Sequence, residues 1–230
     1  MVHSVISHLK APAPQTASDQ IFQVLYAAVI SLELPPGLKI SETEIAKQMG
    51  VSRQPVRDAF YRLSKLGFLW VRPQRAAQIT KISEQGVLDA VFLRIAIEVE
   101  CLRAAMSNLT DHDTMMLRAN LAQQETALED PDPALFHKLD EALHEKICEI
   151  AGHPHAWTLI QEQKAHVDRI RFLTLTHERR KSVLQEHHKV VDAIVSRDAE
   201  LAQQSLREHL STVRRDLTRI RSDFPDYFAS

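Results

Sequence analysis

GVSRQPVRDAF, Gly50 to Phe60, sets a serine, two arginines four residues apart and a proline at the front of an otherwise ordinary amphipathic helix. Gly50-Val51 supplies a tight turn and Ser52 stands at the N-cap. Pro55 is tolerated because amides of the first helical turn have no partner to lose. Val56, Ala59, Phe60, Leu63 and Leu66 then fall on one face, leaving Arg53, Gln54, Arg57 and Tyr61 on or near the other. A helix whose exposed polar residues gather at its amino end suits the major groove of DNA, where arginine pairs bidentately with guanine and helix-terminal amides meet phosphate.

The flanking sequence supplies the rest of such a reader. Upstream, QIFQVLYAAVISLEL (20–34) has Ile21, Leu25, Ala28 and Leu32 at helical spacing and is closed by PPG. SETEIAKQM (41–49) predicts a second helix, with Ser41 and Glu44 spaced to form a capping box. Downstream of Gly67, FLWVR, a Pro-Gln-Arg-Ala tip and AQITK predict a two-stranded wing. Helix, capped helix, glycine turn, recognition helix and wing in that order predict a winged helix-turn-helix over 19–81, behind a flexible tail at 1–18.

Charge supports that division. The chain of 230 residues has a formal net charge of −2. Residues 41–81 nevertheless hold eight basic side chains against three acidic ones, a polyanion-binding block in an otherwise acidic protein. None of the five glycines builds a phosphate loop, which argues against nucleotide chemistry. The apolar run at 21–34 is interrupted by Gln23 and Glu33 and stopped by Pro35-Pro36, so no membrane span is expected. Two cysteines within helical patterns, Cys101 and Cys148, read as reduced, packed thiols of a cytoplasmic protein.

The segment PPGLKISETEIAKQMGVSRQPVRDAFYRLSKLGFL resembles the winged helix-turn-helix of GntR-family transcriptional regulators. That resemblance implies that Ser52, Arg53, Gln54, Pro55 and Arg57 meet a palindromic operator in a homodimer, with Arg75 the contact from the wing.

From Ser83 onward the pattern is helical throughout, with six antiparallel helices expected at about 84–107, 111–129, 132–151, 154–175, 178–196 and 198–222. Short polar connections such as EDPDP and AGHPH separate them. Histidine is frequent, at twelve residues. Asp140 and His144 are four apart and share a helix face. In EHHKVVDAI, His187 aligns with Val183, Leu184, Val190, Val191 and Ile194, whereas His188 shares its stripe with Gln185 and Asp192. His209 lies among Ala202, Leu206, Val213 and Leu217. One carboxylate and three imidazoles projected inward from three helices form a ligand set for zinc, nickel or manganese. A polar core cluster without metal stays open as the alternative. Asp168, Arg169 and Arg171 either approach this pocket or form a solvated face, and the solvated reading is preferred.

This second half, 82–230, resembles the FCD effector domain of the FadR subfamily, and its six-helix count resembles the VanR-like branch. The shared features are Asp-x3-His, then EHxxxxxAI, then a final REHL histidine, here Asp140 to His144, His187 and His209. The resemblance implies that these four residues hold a divalent metal beside a small organic carboxylate such as a sugar acid. Arg94 is then a candidate partner for that carboxylate, with a plain Arg94–Glu98 helix pair as the competing reading. The function expected is a ligand-responsive transcriptional repressor, not an enzyme. A metal-dependent hydrolase or a sensor of the metal itself are the alternatives.

Overall fold

A computed structural model describes residues 16–71 and 76–229. They form two compact units, one from residues up to Val29 with Gly37–Thr80, the other from Ile30–Pro36 with residues 81 onward. Arg75 and most of the expected tail lie outside the described residues.

In the first unit α1 spans Ala17–Ile30. Thr16 and Asp19 cap its start reciprocally, each backbone amide donating to the other's side chain at 3.0 and 3.1 Å. Asp19 also accepts from Arg62 at 2.8 Å, fastening α1 to the recognition helix. The apolar run was expected to stay helical to residue 34, but the helix ends at Ile30 and Leu32 adopts a positive φ of 64°, which no helix accommodates.

Strand β1, Lys39–Ile40, leads into α2, Glu42–Met49, where Glu44 N donates to Ser41 Oγ at 3.1 Å. Gly50 closes α2 with φ 66°, a left-handed conformation that a side chain would disfavour. Helix α3 runs Arg53–Lys65 and buries Val56, Ala59, Phe60 and Leu63, the face the sequence pattern marks out. Burial of Phe60 and Leu63 stabilises by about 1.5–3 kcal/mol each. Ser52 occupies the N-cap position but its side chain makes no capping bond, so its hydroxyl is left for other partners. Strands β2, Leu69–Trp70, and β3, Ala77–Ile79, pair antiparallel. The expected two-stranded wing is a three-stranded sheet in the order β1-β3-β2, because Lys39–Ile40 pairs with Gln78 and Ala77. Two residues are too few to show a strand period in sequence.

The second unit, among the described residues, contains seven α-helices. These are α4 (Glu84–Asn108), α5 (Asp111–Ala127), α6 (Pro133–Ile150), α7 (Pro154–Gln163), α8 (Ala165–Thr174), α9 (His177–Val195) and α10 (Ala199–Asp223). The expected count of six becomes seven because the 154–175 segment breaks at Lys164, whose ψ of 1° leaves the helical range. Neither glycine nor proline marks the break. Instead the Lys164 side chain is buried against Glu141 and Asp168, so tertiary ion pairing accompanies the interruption.

Helix α10 packs against α4 and α9, and α6 packs against α4, α5 and α7. Their apolar faces enclose one core that includes Leu102, Leu121, Phe136, Leu143, Ile147 and Val191, with Cys101 and Cys148 free and buried in it. A smaller cluster joins Val87, Ile170 and Ile220 to Phe228, whose segment returns to bridge Ile82 in parallel.

Candidate metal centre and DNA interface

The amino end of α3 presents Ser52, Arg53, Gln54 and Arg57 to solvent, with Pro55 half-buried. Both arginines lean on one carboxylate: Arg53 Nη2 lies 3.2 Å and Arg57 Nη2 3.3 Å from Glu42 Oε2. Gln54 Nε2 donates to Asp58 Oδ1 at 3.0 Å. Glu42 thus holds the guanidiniums side by side with their remaining donors facing water, a two-pronged cationic edge matched to phosphate or guanine.

The second unit gathers its four predicted ligands into one buried group. Asp140 and His144 come from a single face of α6, His187 from α9 and His209 from α10, and one ligand atom of each lies within 4.8 Å of all the others. His187 is buried and His188 only half-buried, as the stripe argument requires. His187 Nε2 lies 3.3 Å from His209 Nε2 and 3.5 Å from Asp140 Oδ1, and His144 Nε2 lies 4.0 Å from Asp140 Oδ2. Ligands about 2.1 Å from one ion sit roughly 3.0–4.2 Å apart across tetrahedral or octahedral edges and axes, so these spacings fit a metal.

Each imidazole has an oxygen close behind Nδ1, in hydrogen-bonding geometry for His187 and His209. His187 Nδ1 meets Gln124 Oε1 at 2.8 Å, His209 Nδ1 meets Glu186 Oε2 at 2.7 Å, and His144 Nδ1 lies 2.6 Å from Glu98 Oε2. With protons on Nδ1, the Nε2 lone pairs converge and repel unless a cation separates them. His144 Nε2 and Asp140 Oδ2 are buried without a hydrogen-bond partner, as ligands awaiting an ion would be.

The electrostatics agree. Burial, then the His209 charge, push the His187 imidazole well below its usual range, and burial lowers His209 against the opposing pull of Glu186. Both are therefore neutral near pH 7, the form that ligates. Burial would raise the Asp140 carboxyl, but Arg171 and the imidazoles outweigh it and hold it well below the ordinary value. Glu98 likewise resists burial through Arg94 and His144 and sits at about 2.

Three further charged side chains were hidden from the sequence reading. Asp168, Arg169 and Arg171, expected to be solvated, are 1%, 0% and 8% exposed. Arg171 pairs with Asp140 and with Glu141 Oε1, the latter at 3.2 Å, while Lys164 pairs with Glu141 and with Asp168 Oδ2, the latter at 2.6 Å. His137, Glu141 and Asp168 also lie close enough to resemble a second ligand group. Lys164 and Arg171 already neutralise its carboxylates, so this cluster clamps α8 to α6. Beside the four-ligand group opens a cavity of about 40 Å³, lined by Arg94, Arg171, Arg179, His209 and Thr212 among others. Arg94 Nε donates to Glu98 at 2.6 Å, yet its Nη2 is buried without a hydrogen-bond partner.

Comparison with known proteins places this architecture. Residues 17–79 match the pattern of bacterial regulatory proteins of the gntR family, and residues 89–212 match the FCD domain. The HTH-type transcriptional repressor RspR of Escherichia coli is 33% identical, over 94% of this chain and 95% of its own. The chain belongs to the GntR family. Its FCD domain puts it in the FadR subfamily. An HTH-type regulator from an unstable DNA locus of Streptomyces ambofaciens is 36% identical over 94% of this chain and 91% of its own. McbR/YncC of E. coli shares the fold, with a TM-score of 0.75 at 19% identity over 91% of this chain and 99% of that one.

This GntR protein is thus a DNA-binding transcriptional regulator and not an enzyme, which removes the hydrolase alternative. Among the described residues no helix is long and apolar enough to cross a membrane. In the FCD domain the sequence reading pairs Glu98 with Arg94 without bringing it to His144, takes Arg171 as solvated, and misses Gln124, Arg179 and Glu186. Gln124 left a trace, since it continues the apolar stripe of Leu117 and Leu121 on α5.

Proposed function

We propose that this GntR regulator represses transcription as a homodimer on a palindromic operator, and that a small carboxylate, binding beside a divalent metal held by Asp140, His144, His187 and His209, sets its operator affinity. Ser52, Arg53, Gln54, Pro55 and Arg57 read the operator, with Arg75 contributing from the wing. One recognition helix spans few base pairs, so two-fold symmetry is needed to specify a site. The repressor sense follows the name of the relative RspR.

The observation that carries the effector reading is the buried Nη2 of Arg94, which has no hydrogen-bond partner, on a residue that lines a cavity together with Arg171, Arg179 and His209. A buried guanidinium nitrogen without an acceptor is costly, and a carboxylate oxygen satisfies it. Zinc, nickel or manganese suits three nitrogens and one oxygen. Bound there, the ion supplies a fixed positive charge and an open position for an oxygen donor.

Charge and volume narrow the effector. Glu98, Asp140, Glu141, Asp168 and Glu186 face Arg94, Lys164, Arg171 and Arg179, five carboxylates against four cations. A divalent ion reverses the sign, and one monoanion restores neutrality, which a low-dielectric interior favours. At about 40 Å³, with one water needing roughly 10–15 Å³ on this measure, the cavity seats a carboxylate group and few further atoms. A short monocarboxylate fits better than an intact sugar acid.

Calorimetric titration of two- to four-carbon monocarboxylates into metal-loaded protein, with and without operator, tests the reading. Ligand affinity should change on operator binding by the same factor as operator affinity changes on ligand binding. Equal ligand affinities in both conditions, with occupancy verified, would leave the metal ion itself or nothing as the signal.

A further inference from the structure

Helix α5 contributes no ligand to the four-residue group, yet it closes a hydrogen-bonded circuit around it. Asn120 Nδ2 donates to the backbone carbonyl of Leu139 at 3.0 Å, Gln124 Nε2 donates to Asn120 Oδ1 at 2.7 Å, and Gln124 Oε1 meets His187 Nδ1 at 2.8 Å. Leu139 immediately precedes Asp140. The circuit therefore starts beside one candidate ligand and ends on another.

We propose that Asn120 and Gln124 are positioning residues that fix the proton of His187 on Nδ1 and so keep its Nε2 lone pair available to the ion. A backbone carbonyl only accepts, so Asn120 must turn its NH2 towards Leu139 and its oxygen towards Gln124. Gln124 must then donate through Nε2, which leaves its oxygen facing His187. An oxygen facing Nδ1 requires a proton there, and the neutral ring carries its lone pair on Nε2.

The need for such a relay is peculiar to His187. His209 Nδ1 faces the carboxylate of Glu186 at 2.7 Å and His144 lies beside that of Glu98, and an ionised carboxylate accepts from either oxygen and so needs no orienting partner to favour an Nδ1–H form. Gln124 is 0% exposed and uncharged, and a half-turn of its amide would present NH2 to Nδ1 and stabilise the opposite tautomer. That tautomer carries hydrogen on Nε2 and cannot ligate. A third carboxylate in place of Gln124 would orient His187 without help, but would add another buried negative charge.

The consequence for metal affinity rests on the metal centre proposed above, whereas the tautomer is measurable without any metal. Long-range 15N–1H correlation spectra of the imidazoles in metal-free protein read it directly, and competition against a chelator reads zinc affinity. Wild type should show His187 protonated on Nδ1. Asn120→Ala frees the Gln124 amide, so the Nε2–H form should become populated and zinc affinity should fall about 10–100-fold. Asn120→Asp keeps an acceptor for Gln124 Nε2 and should retain the wild-type tautomer. Adding Gln124→Glu to Asn120→Ala should restore it, because a carboxylate needs no orienting partner. Should Asn120→Ala not fold, Gln124→Met makes the same test, since His187 must then lose its preference. An unchanged His187 tautomer in both Asn120→Ala and Gln124→Met overturns the proposal, as does loss of zinc affinity with no change of tautomer. Tautomers that follow the relay in a wild-type protein that holds no zinc would uphold the positioning role and refute the metal centre.

Discussion

In the proposed function Arg94 has two jobs that one substitution confounds and a pair separates. Its Nε holds Glu98 at 2.6 Å with side chains 5% and 2% exposed, while its Nη2 is buried without an acceptor on a residue that lines the cavity. Arg94→Met leaves Glu98 buried without its strongest cation. Breaking such a pair costs about 3–5 kcal/mol, and at roughly 2–4 °C per kcal/mol for a protein of this size Tm should fall by roughly 6–20 °C. Arg94→Met/Glu98→Gln removes both charges, and replacing a buried pair as a unit is often near neutral, so most of that loss should return. The cavity donor does not return. Thermal unfolding with short monocarboxylates at about one hundred times their Kd should stabilise wild type by about 2.7 kcal/mol and the double variant far less. A double variant that responds to the same acids as wild type would reduce Arg94 to a plain helix pair. Arg94→Met costing under about 1 kcal/mol would refute the buried-pair energetics.

The other predictions need simpler assays. Arg53→Ala or Arg57→Ala should cost about 1–3 kcal/mol on the operator if the residue reads a base, and a uniform loss on all duplexes in gel shifts would mark a phosphate contact instead. Glu42→Gln frees both arginines from a partly exposed pair worth at most about 1 kcal/mol, so affinity for any duplex should rise modestly at low salt and the gain should vanish at high salt. Elemental analysis should find one divalent metal per chain in wild type and His188→Ala, and severe loss in His187→Ala; the reverse order would contradict the helix-face assignment. Lys164→Met leaves Glu141 and Asp168 buried without the ammonium they share, so chemical denaturation should show a loss of about 3–5 kcal/mol, and a loss near zero would mean the side chain is solvated.

The recognition helix and the four candidate ligands were legible because each lies on a periodic stripe. Val56, Ala59, Phe60 and Leu63 define one face of α3, so the position of Arg53 and Arg57 follows from helix geometry alone. His187 was separable from His188 for the same reason, with roughly 100° between neighbours on a helix. The misplaced boundaries have local causes that composition conceals. Leu32 ends α1 in a left-handed conformation usually left to glycine, and Lys39–Ile40 is too short to show alternation.

The break at Lys164 and the burial of Asp168, Arg169 and Arg171 escaped for a different reason. A charged residue on a helix is ordinarily solvated, because burying it alone costs several kcal/mol. What reverses the sign here is a partner on another helix: Glu141 for Lys164, Asp140 and Glu141 for Arg171. Those pairings are non-local, have no period, and leave HKLDEALHEK and VDRIRF looking like ordinary solvated faces. The motif residues of the site can be read one helix at a time. The charges that hold them in place cannot be read that way where the partner lies far along the chain, as Glu141 does for Lys164 and Arg171.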